Sequence, residues 1–397
     1  MAKIIVFCAD GTWNGPGQSE NDDSTAKTTN VFKLFFNLDG KDTLDTAMLA
    51  NEQERVSQDA SGAEVQWAKY LHGVGDSNNA LVRLLGGTLG AGLIVRIVRG
   101  YTFISRHYVP GDTIVIVGFS RGAYTARALA GLICKKGLLD ARKTDLTDKD
   151  TAYRMGSAVW YSYHSAAMQQ KTDLFGQLEN FVADLPGFLM RPPAEDLLVP
   201  ADVEVVAVWD TVGSLGIPDF TLRSGRVDAF QFADTKLAAQ VKRGFHAVSV
   251  DERRSDFTPT LWDADPRIRQ VLFPGAHSDV GGGYPGTNAE SGLSDCALAW
   301  MMTQLDPVVR FTHPWPHPPM PSAIGPAHEP WLEAPWNLLA RSARTFPPGL
   351  ALSKCLIERC RADLVMAAPT ALPSPYNPEN LFAYLNGKAA AAGVMVE

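Results

Sequence analysis

The sequence predicts an α/β protein in which helices cover both faces of a mostly parallel sheet. Several short apolar runs are rich in β-branched residues and nearly continuous rather than alternating, as in strands that are buried on both sides. These runs are, in chain order, 3–8, 113–118, 203–209, 245–250 and 269–274. Helical patterns occur at 81–107, 122–136 and 350–364. Strands that alternate with helices are typical of an open parallel sheet.

The composition is that of an ordinary folded protein. Of the 397 residues, 46% are hydrophobic and 20% are charged, which excludes a disordered, collagen-like or coiled-coil chain. The net charge of −7 disfavours nucleic acid as a partner, because phosphate binding requires clustered Lys and Arg. The five cysteines are scattered and form no CxxC pair, which disfavours a disulfide framework and a zinc site. We therefore expect no metal and no cofactor.

The N-terminal residues do not have the pattern of a cleavable signal peptide. The apolar run 3–8 is too short for a signal peptide, and no cleavage site follows it. The stretch 81–104 is more apolar, but three arginines and several glycines interrupt it, so we interpret it as a buried helix rather than a membrane span. We expect a protein that is cytoplasmic as synthesised, and export by a signal-independent secretion system stays open.

The pentapeptide Gly118-Phe119-Ser120-Arg121-Gly122 lies between a predicted strand and a predicted helix. That is the context of a G-x-S-x-G nucleophile elbow, a tight turn that needs small flanking residues and presents the serine above the sheet edge. The turn also directs the Arg121 N–H and the helix N-terminus at a developing oxyanion. We interpret Ser120 as a nucleophile. The alternative is a plain strand-to-helix turn in which the serine caps the helix.

A nucleophilic serine needs a base and an acid that orients the base, and in this architecture they follow in the order Ser, Asp, His. Asp210 and His277 each come directly after a later predicted strand, in that order. Because parallel strands end at one edge of a sheet, Ser120, Asp210 and His277 are predicted to meet there. Two alternatives stay open, namely His246 as the base and Asp251 as the acid.

The first strand ends in the loop Asp10-Gly11-Thr12. The second oxyanion donor of this architecture is a backbone N–H on the loop after a neighbouring strand, and Gly11 and Thr12 are the candidates. We interpret Asp10 as supporting this loop and Asp279 as organising the loop that carries His277. The alternative for the two carboxylates is a bound cation in a metal-dependent phosphohydrolase.

We expect a single domain over 1–397 with three irregular regions. The polar segment 17–65 is predicted to be a surface excursion. The segment 140–200 is too long for one crossover helix, and its aromatic residues predict a helical, cap-like insertion after the nucleophile helix. The segment 303–397 is predicted to be a Pro-rich C-terminal extension, since eight prolines fall within 307–330.

Ordered motifs along the chain resemble the α/β-hydrolase domain of type VI secretion phospholipase effectors, which many proteins of unassigned function share. These motifs are CADGTWN (8–14), GDTIVIVGFSRGAYTARALAGLI (111–133), VWDTVGSLG (208–216), HAVSVDERRSDFTPTLW (246–262) and FPGAHSDVGGGY (273–284). The resemblance runs from residue 3 to about residue 302, through LSDCALAWM (293–301). It implies an α/β-hydrolase fold and metal-free cleavage of fatty-acyl esters of phospholipids. It also implies Ser120 as nucleophile, His277 as base and Asp210 as orienting acid.

We therefore expect a serine hydrolase of lipid or phospholipid acyl esters that works through an acyl-enzyme. Its partner would be a lipid or small ester substrate, with contact to a membrane surface, and the residues identify no secretion or immunity partner. The alternatives are a short-chain esterase or thioesterase with the same triad, a phosphohydrolase that uses Asp10 and Asp279, and a non-catalytic binding module. Larger effectors of this family carry a membrane-anchoring region, for which this chain has room only in 140–200 and 303–397.

Overall fold

Strands and helices are interspersed along the chain. The structure, a computed structural model, describes residues 2–11, 28–46, 52–72, 89–169, 192–212, 235–334, 336–338 and 340–386. The strands in this part are β1 (Ile4–Ala9), β2 (Lys41–Asp42), β3 (Glu52–Gln58), β4 (Glu64–Leu71), β5 (Thr113–Phe119), β6 (Leu138–Leu139), β7 (Leu198–Val199), β8 (Val203–Trp209), β9 (Val241–Ser249), β10 (Ile268–Phe273) and β11 (Ala351–Leu352). The α-helices are α1 (Asn30–Asn37), α2 (Leu89–His107), α3 (Arg121–Lys136), α4 (Lys149–Gln169), α5 (His277–Gly281), α6 (Gly292–Leu305), α7 (Lys354–Arg361) and α8 (Glu379–Asn386).

One nine-stranded sheet forms the centre of the protein, with the order β11-β10-β9-β8-β5-β1-β4-β3-β2. Every neighbouring pair from β11 to β4 is parallel, and only β3 pairs with its two neighbours in the antiparallel sense. The prediction of an α/β protein with a mostly parallel sheet is confirmed. Each apolar run that predicts a strand overlaps one of β1, β5, β8, β9 and β10.

Helices lie on both faces of the sheet, and strand β1 illustrates why. Its alternate residues Ile5 and Phe7 are buried in one apolar core, whereas Val6 and Cys8 are buried in another. Residues of α2, α3 and α4 complete the first core, and residues of α1 and α6 complete the second. A strand that is buried on both sides needs apolar residues at every position, which explains the continuous runs in the sequence.

The expectation of a surface excursion over 17–65 is wrong for the described part of that segment. Helix α1 packs into a core, and β3 and β4 belong to the main sheet. The sequence of β3 is polar because its charged side chains pair across strands near the sheet edge. The ammonium group of Lys69 lies 3.0 Å from the Glu52 carboxylate and 2.8 Å from that of Glu54.

The two long predicted segments are described in part. Within 140–200 the structure has helix α4 and the strand β7, which pairs with β6; residues 170–191 lie outside the described residues. Within 303–397, strand β11 extends the main sheet beyond β10, and Leu356 of α7 and Leu381 of α8 share a core with residues of β9 and β10. No helix among the described residues is long and apolar enough to cross a membrane.

Candidate active site

Ser120 occupies a strained turn between β5 and α3. Its φ of 58° is a left-handed conformation that residues with a Cβ rarely adopt. A Cβ added to Gly118 would lie 2.4 Å from the Gly122 carbonyl oxygen, and one added to Gly122 would lie 2.1 Å from that of Ala9. Only glycine fits at either position, which is the reason for the spacing of a nucleophile elbow. The Ser120 N–H donates to the Trp209 carbonyl at 3.1 Å, so the turn lies beside the end of β8.

Asp210 and His277 are in direct contact at the same edge of the sheet. Asp210 follows β8, His277 begins α5 shortly after β10, and His277 Nδ1 lies 2.6 Å from Asp210 Oδ2. The ring of Phe119, the residue before Ser120, has its centroid 4.6 Å from that of His277. The structure thus brings the chain around Ser120 together with both other residues that the sequence singles out.

Four hydrogen bonds hold the fully buried Asp210 carboxylate. Oδ1 accepts from the Ser249 N–H at 2.9 Å and from Arg344 Nη1 at 2.7 Å. Oδ2 accepts from His277 Nδ1 and from Arg344 Nη2, the latter at 2.9 Å. Burial alone would raise the pKa of Asp210, but the Arg344 guanidinium and His277 outweigh it and hold that pKa well below its usual range. Asp210 is therefore ionised at neutral pH.

The His277 imidazole is buried and uncharged at neutral pH. Burial lowers its pKa below the usual value, and the neighbouring Asp210 carboxylate opposes that shift only in part. With Asp210 ionised, Nδ1 carries the proton that is donated to it, so Nε2 is the acceptor nitrogen. A neutral imidazole with a free acceptor nitrogen is the form that can take a proton from a hydroxyl.

A second ion pair fixes the loop and the ring of His277. The His277 N–H donates to Glu252 Oε2 at 3.1 Å, and Glu252 pairs with Arg254 at 2.7 Å. The Arg254 guanidinium lies 3.6 Å from the centroid of the Phe257 ring, and that ring is 5.0 Å from the His277 ring. The imidazole is therefore held between Phe119 and Phe257 while its backbone is tied to a buried carboxylate.

The two alternative residues contact other groups. Asp251 accepts from the Gly275 N–H at 2.6 Å and from the Tyr376 hydroxyl at 2.8 Å. Buried His246 accepts from the Thr211 N–H at 3.1 Å, and burial lowers its pKa to about 3. Asp251 thus supports the loop before His277, and His246 supports the loop after Asp210.

The Asp10–Gly11 loop lies against the Ser120 turn. A Cβ added to Gly11 would lie 3.2 Å from the Ser120 Cβ, so the loop backbone runs next to the serine. The Gly11 N–H, however, donates to Asp10 Oδ1 at 2.6 Å. This differs from the expectation that Gly11 offers its N–H to an oxyanion, because the side chain of Asp10 turns back onto it. Thr12, the other candidate, lies outside the described residues.

Asp10 and Asp279 are both engaged by protein donors. Asp10 Oδ2 accepts from the hydroxyls of Thr29 at 2.7 Å and Tyr70 at 2.6 Å. Asp279 accepts from the Ala276 N–H at 2.9 Å and from His328 Nδ1 at 2.7 Å. Among the described residues, no cluster of three or more His, Cys, Asp and Glu side chains is arranged to hold a metal ion. These contacts favour structural roles for both carboxylates over cation binding.

Arg344 and His328 are two residues of this site that the sequence did not indicate. Both lie in the proline-rich segment after α6. Arg344 is 134 positions from Asp210, and His328 is 49 positions from Asp279. No local pattern marks them, because their partners are brought to them only by the fold. Arg341 lies three residues before Arg344, so the sequence itself does not single out Arg344.

Arg121 is half-buried and has one guanidinium nitrogen that the described residues leave without a hydrogen bond. Its Nη1 is buried, and no hydrogen-bond partner for it occurs in the described part of the chain. Burial and the nearby positive charge of Arg96 lower the pKa of Arg121 to about 9, so the guanidinium stays charged at neutral pH. A buried guanidinium nitrogen without a hydrogen-bond partner is costly, which makes this side chain a candidate contact for an anionic ligand.

Comparisons with known proteins give one family and several more distant relatives. A family model for the catalytic domain of Tle1-like phospholipase effectors of the type VI secretion system matches residues 3–304. The uncharacterized protein YEL023C of Saccharomyces cerevisiae is 26% identical over 270 residues, which are 68% of this chain and 34% of the yeast protein.

Two solved structures also resemble the chain. An uncharacterized protein from Pseudomonas aeruginosa is 18% identical, with a TM-score of 0.40, 77% of this chain covered and 45% of the other. The Tle1 effector in a structure of that effector bound to the VgrG spike of the type 6 secretion system is 17% identical, with a TM-score of 0.36, 72% of this chain covered and 51% of the other. The chain thus spans about half the length of these solved chains and a third of the yeast relative.

Proposed function

Because this chain belongs to the Tle1-like family of type VI secretion phospholipase effector catalytic domains, we propose that it is a serine hydrolase that cleaves fatty-acyl esters of phospholipids. The observation that carries the proposal is the 2.6 Å contact of His277 with an ionised Asp210 beside the strained Ser120 turn. In this proposal the mostly parallel sheet is that of an α/β-hydrolase, and the residues 1–397 form one domain.

The proposed reaction has two steps. His277 Nε2 accepts the Ser120 proton while the serine oxygen attacks the acyl carbonyl, and the imidazolium then gives that proton to the departing lysolipid alcohol. Water attacks the acyl-enzyme with His277 again as the base, and the fatty acid leaves. Asp210 stays ionised throughout, orienting the ring and stabilising its charged form. The Arg121 N–H, which begins helix α3 and so has no intrahelical acceptor, is the proposed oxyanion donor.

Two features favour a phospholipid over the alternatives. The Arg121 guanidinium, whose Nη1 has no partner among the described residues, lies on the residue after the proposed nucleophile, where it favours an anionic group such as a lipid phosphate over a neutral short-chain ester. The oxygens of Asp10 and Asp279 already accept hydrogen bonds from protein groups, which disfavours a metal-dependent phosphohydrolase. The short-chain esterase uses the same triad and is separated by substrate preference.

The test is hydrolysis of p-nitrophenyl esters of increasing acyl length and of a phospholipid in mixed micelles, with chelator present. We expect Ser120→Ala to lower turnover of every substrate by at least about 10³-fold, because the nucleophile is lost. The matched control is Ser105→Ala, a buried serine of α2 whose hydroxyl accepts from the Leu139 N–H. This control is expected to keep its activity.

The outcomes distinguish a phospholipase from a short-chain esterase and from a metal-dependent phosphohydrolase. Preference for the phospholipid and long acyl chains supports the proposal, and preference for short neutral esters supports the esterase. Turnover that persists in Ser120→Ala, or that the chelator abolishes in the wild type, contradicts the serine mechanism.

A further inference from the structure

We propose that Arg344 is a positioning residue that completes the active site by holding the Asp210 carboxylate ionised and correctly oriented toward His277. The family match ends at residue 304, so this arginine comes from the segment that follows the matched domain. The inference rests on the proposed serine-hydrolase function. It adds to that function a residue that no motif of the matched region contains.

The contacts of Arg344 are those of a forked clamp. Its Nη1 and Nη2 bind different oxygens of Asp210, at 2.7 and 2.9 Å, and the side chain is only 4% exposed. The same two nitrogens donate to the carbonyls of Ser249 and Phe257. A planar guanidinium bound at four points fixes the plane of the carboxylate that it faces. The remaining direction of Asp210 Oδ2 is toward His277.

The backbone that carries Arg344 is fastened to the loop that holds His277. The Ser342 N–H donates to the Arg253 carbonyl at 2.8 Å, and the Ser255 N–H donates to the Ala340 carbonyl at 3.2 Å. Residues 252–257 also include the Glu252 carboxylate that accepts the His277 N–H. The segment that carries Arg344 therefore contacts both Asp210 and the loop that holds His277.

Without Arg344 the pair of Asp210 and His277 would bind a proton more tightly. A carboxylate buried without a cation tends to protonate, and a protonated Asp210 carries an O–H group that can donate instead of accepting from His277 Nδ1. A lone ionised Asp210 would instead pull more strongly on a proton held by His277. In either case the apparent pKa of the coupled pair rises, because a fixed positive charge has been removed.

Several charged groups surround His277 and set this balance. They are the carboxylates of Asp210, Glu252 and Asp279, the guanidiniums of Arg254 and Arg344, and the imidazole of His328 behind Asp279. Glu252 is paired with Arg254, and Asp279 with His328. Arg344 is the cation that is paired with Asp210 itself, so its removal changes the charge felt along the Asp210–His277 hydrogen bond.

The experiment measures kcat and KM for a p-nitrophenyl ester from pH 5 to 9 in the full-length wild type, Arg344→Gln and Arg344→Lys. We expect Arg344→Gln to lower kcat about 10- to 100-fold with little change in KM, since a misoriented base affects the chemical step. We also expect it to move the acid limb of kcat/KM upward by about one pH unit or more. Arg344→Lys keeps the positive charge but loses the two-pronged contact of the guanidinium. We expect its acid limb of kcat/KM to return to the wild-type position while its kcat stays reduced.

Arg359→Gln is the matched control. Arg359 is a fully buried arginine of the same C-terminal segment, and it donates to the carbonyls of Ala323, Gly325 and Met366. Its loss should lower the unfolding temperature and leave the acid limb in place. An acid limb that does not move in folded Arg344→Gln, or that moves equally in Arg359→Gln, would overturn the proposal.

Arg344→Lys and Ser120→Ala cover the remaining outcomes. Should Arg344→Gln fail to fold, Arg344→Lys decides, and an unchanged kcat in that variant would overturn the role of the fork. Turnover that persists in Ser120→Ala would defeat the proposed function itself. An inactive Ser120→Ala together with an unmoved limb in Arg344→Gln would defeat only the role of Arg344.

Discussion

Asp10 and Asp210 hold equivalent places in the sheet, yet different kinds of donor hold their carboxylates. Asp10 follows β1 and Asp210 follows β8, the two strands that flank β5, and both side chains are fully buried. Asp10 is held by neutral donors, which are one backbone N–H and the hydroxyls of Thr29 and Tyr70. Asp210 is held by the Arg344 guanidinium and the His277 imidazole.

The comparison teaches that the partners of a buried carboxylate, rather than its burial, decide its ionisation. Burial raises the pKa of Asp10, and its neutral hydrogen-bond donors do not reverse that shift. Burial acts in the same direction on Asp210, but the charged partners lower its pKa below the usual value. An ionised carboxylate is suited to orienting an imidazole, whereas Asp10 is suited to tying down its own loop.

The largest difference between the two sites is expected in catalysis. Asp210→Asn should lower kcat by about 10³- to 10⁴-fold, because an amide NH₂ that faces His277 favours the wrong tautomer. Asp10→Asn should lower kcat by no more than about tenfold, since the loop loses one set of hydrogen bonds while the triad is kept. Steady-state kinetics on one ester substrate compares the two variants directly.

The conservative nature of both substitutions provides the control, because each keeps the size and shape of the side chain. Circular dichroism and thermal unfolding would establish that each variant is folded. An equal loss of kcat in the two variants, or a larger loss in Asp10→Asn, would contradict the different roles of the two carboxylates. It would indicate that the Asp10 loop takes part in catalysis.

The buried strands and the candidate residues at their ends could be predicted from the sequence. Continuous apolar runs revealed the buried strands, and the residues directly after them placed Ser120, Asp210 and His277 at one edge. The polar strand β3 was missed, because its charges are satisfied by cross-strand pairs such as Lys69 with Glu54 that exist only after folding.

The clamp on Asp210 could not be predicted for a related reason. Arg344 is separated from Asp210 by 134 positions, and its neighbours Ala343 and Thr345 form no pattern that indicates a partner. The choice between Asp210 and Asp251 as the acid was likewise open, since both follow strands. Only the three-dimensional contacts distinguish them, because Asp251 binds Gly275 and Tyr376 rather than His277.

A smaller but more diagnostic difference is expected in the pH dependence of stability. The pKa of Asp210 lies below the unfolded value of 3.8, so its contribution is present above that pH and is lost as pH falls further. The pKa of Asp10 lies above 3.8, so the folded state gains stability from it as pH falls through the raised pKa. Each slope is limited to about 1.4 kcal/mol per pH unit for one group.

Relative to wild type, the destabilisation by Asp210→Asn should therefore shrink as pH falls below about 4, and that by Asp10→Asn should grow between neutral pH and about 4. Denaturant unfolding of the three proteins at pH 7, 5, 3.5 and 2.5 measures both trends. Parallel curves for the two variants would mean that the two carboxylates do not differ in ionisation.

The most direct test of the proposed site is covalent labelling of the intact protein with a fluorophosphonate, followed by peptide mass spectrometry. The account predicts one adduct, on Ser120, because only a serine activated by a neutral imidazole and an ionised carboxylate reacts readily with this probe. The adduct should form much more slowly in Asp210→Asn and at nearly the wild-type rate in Asp10→Asn. No adduct in the folded wild type, or an adduct on another residue, would contradict the assignment of Ser120, His277 and Asp210.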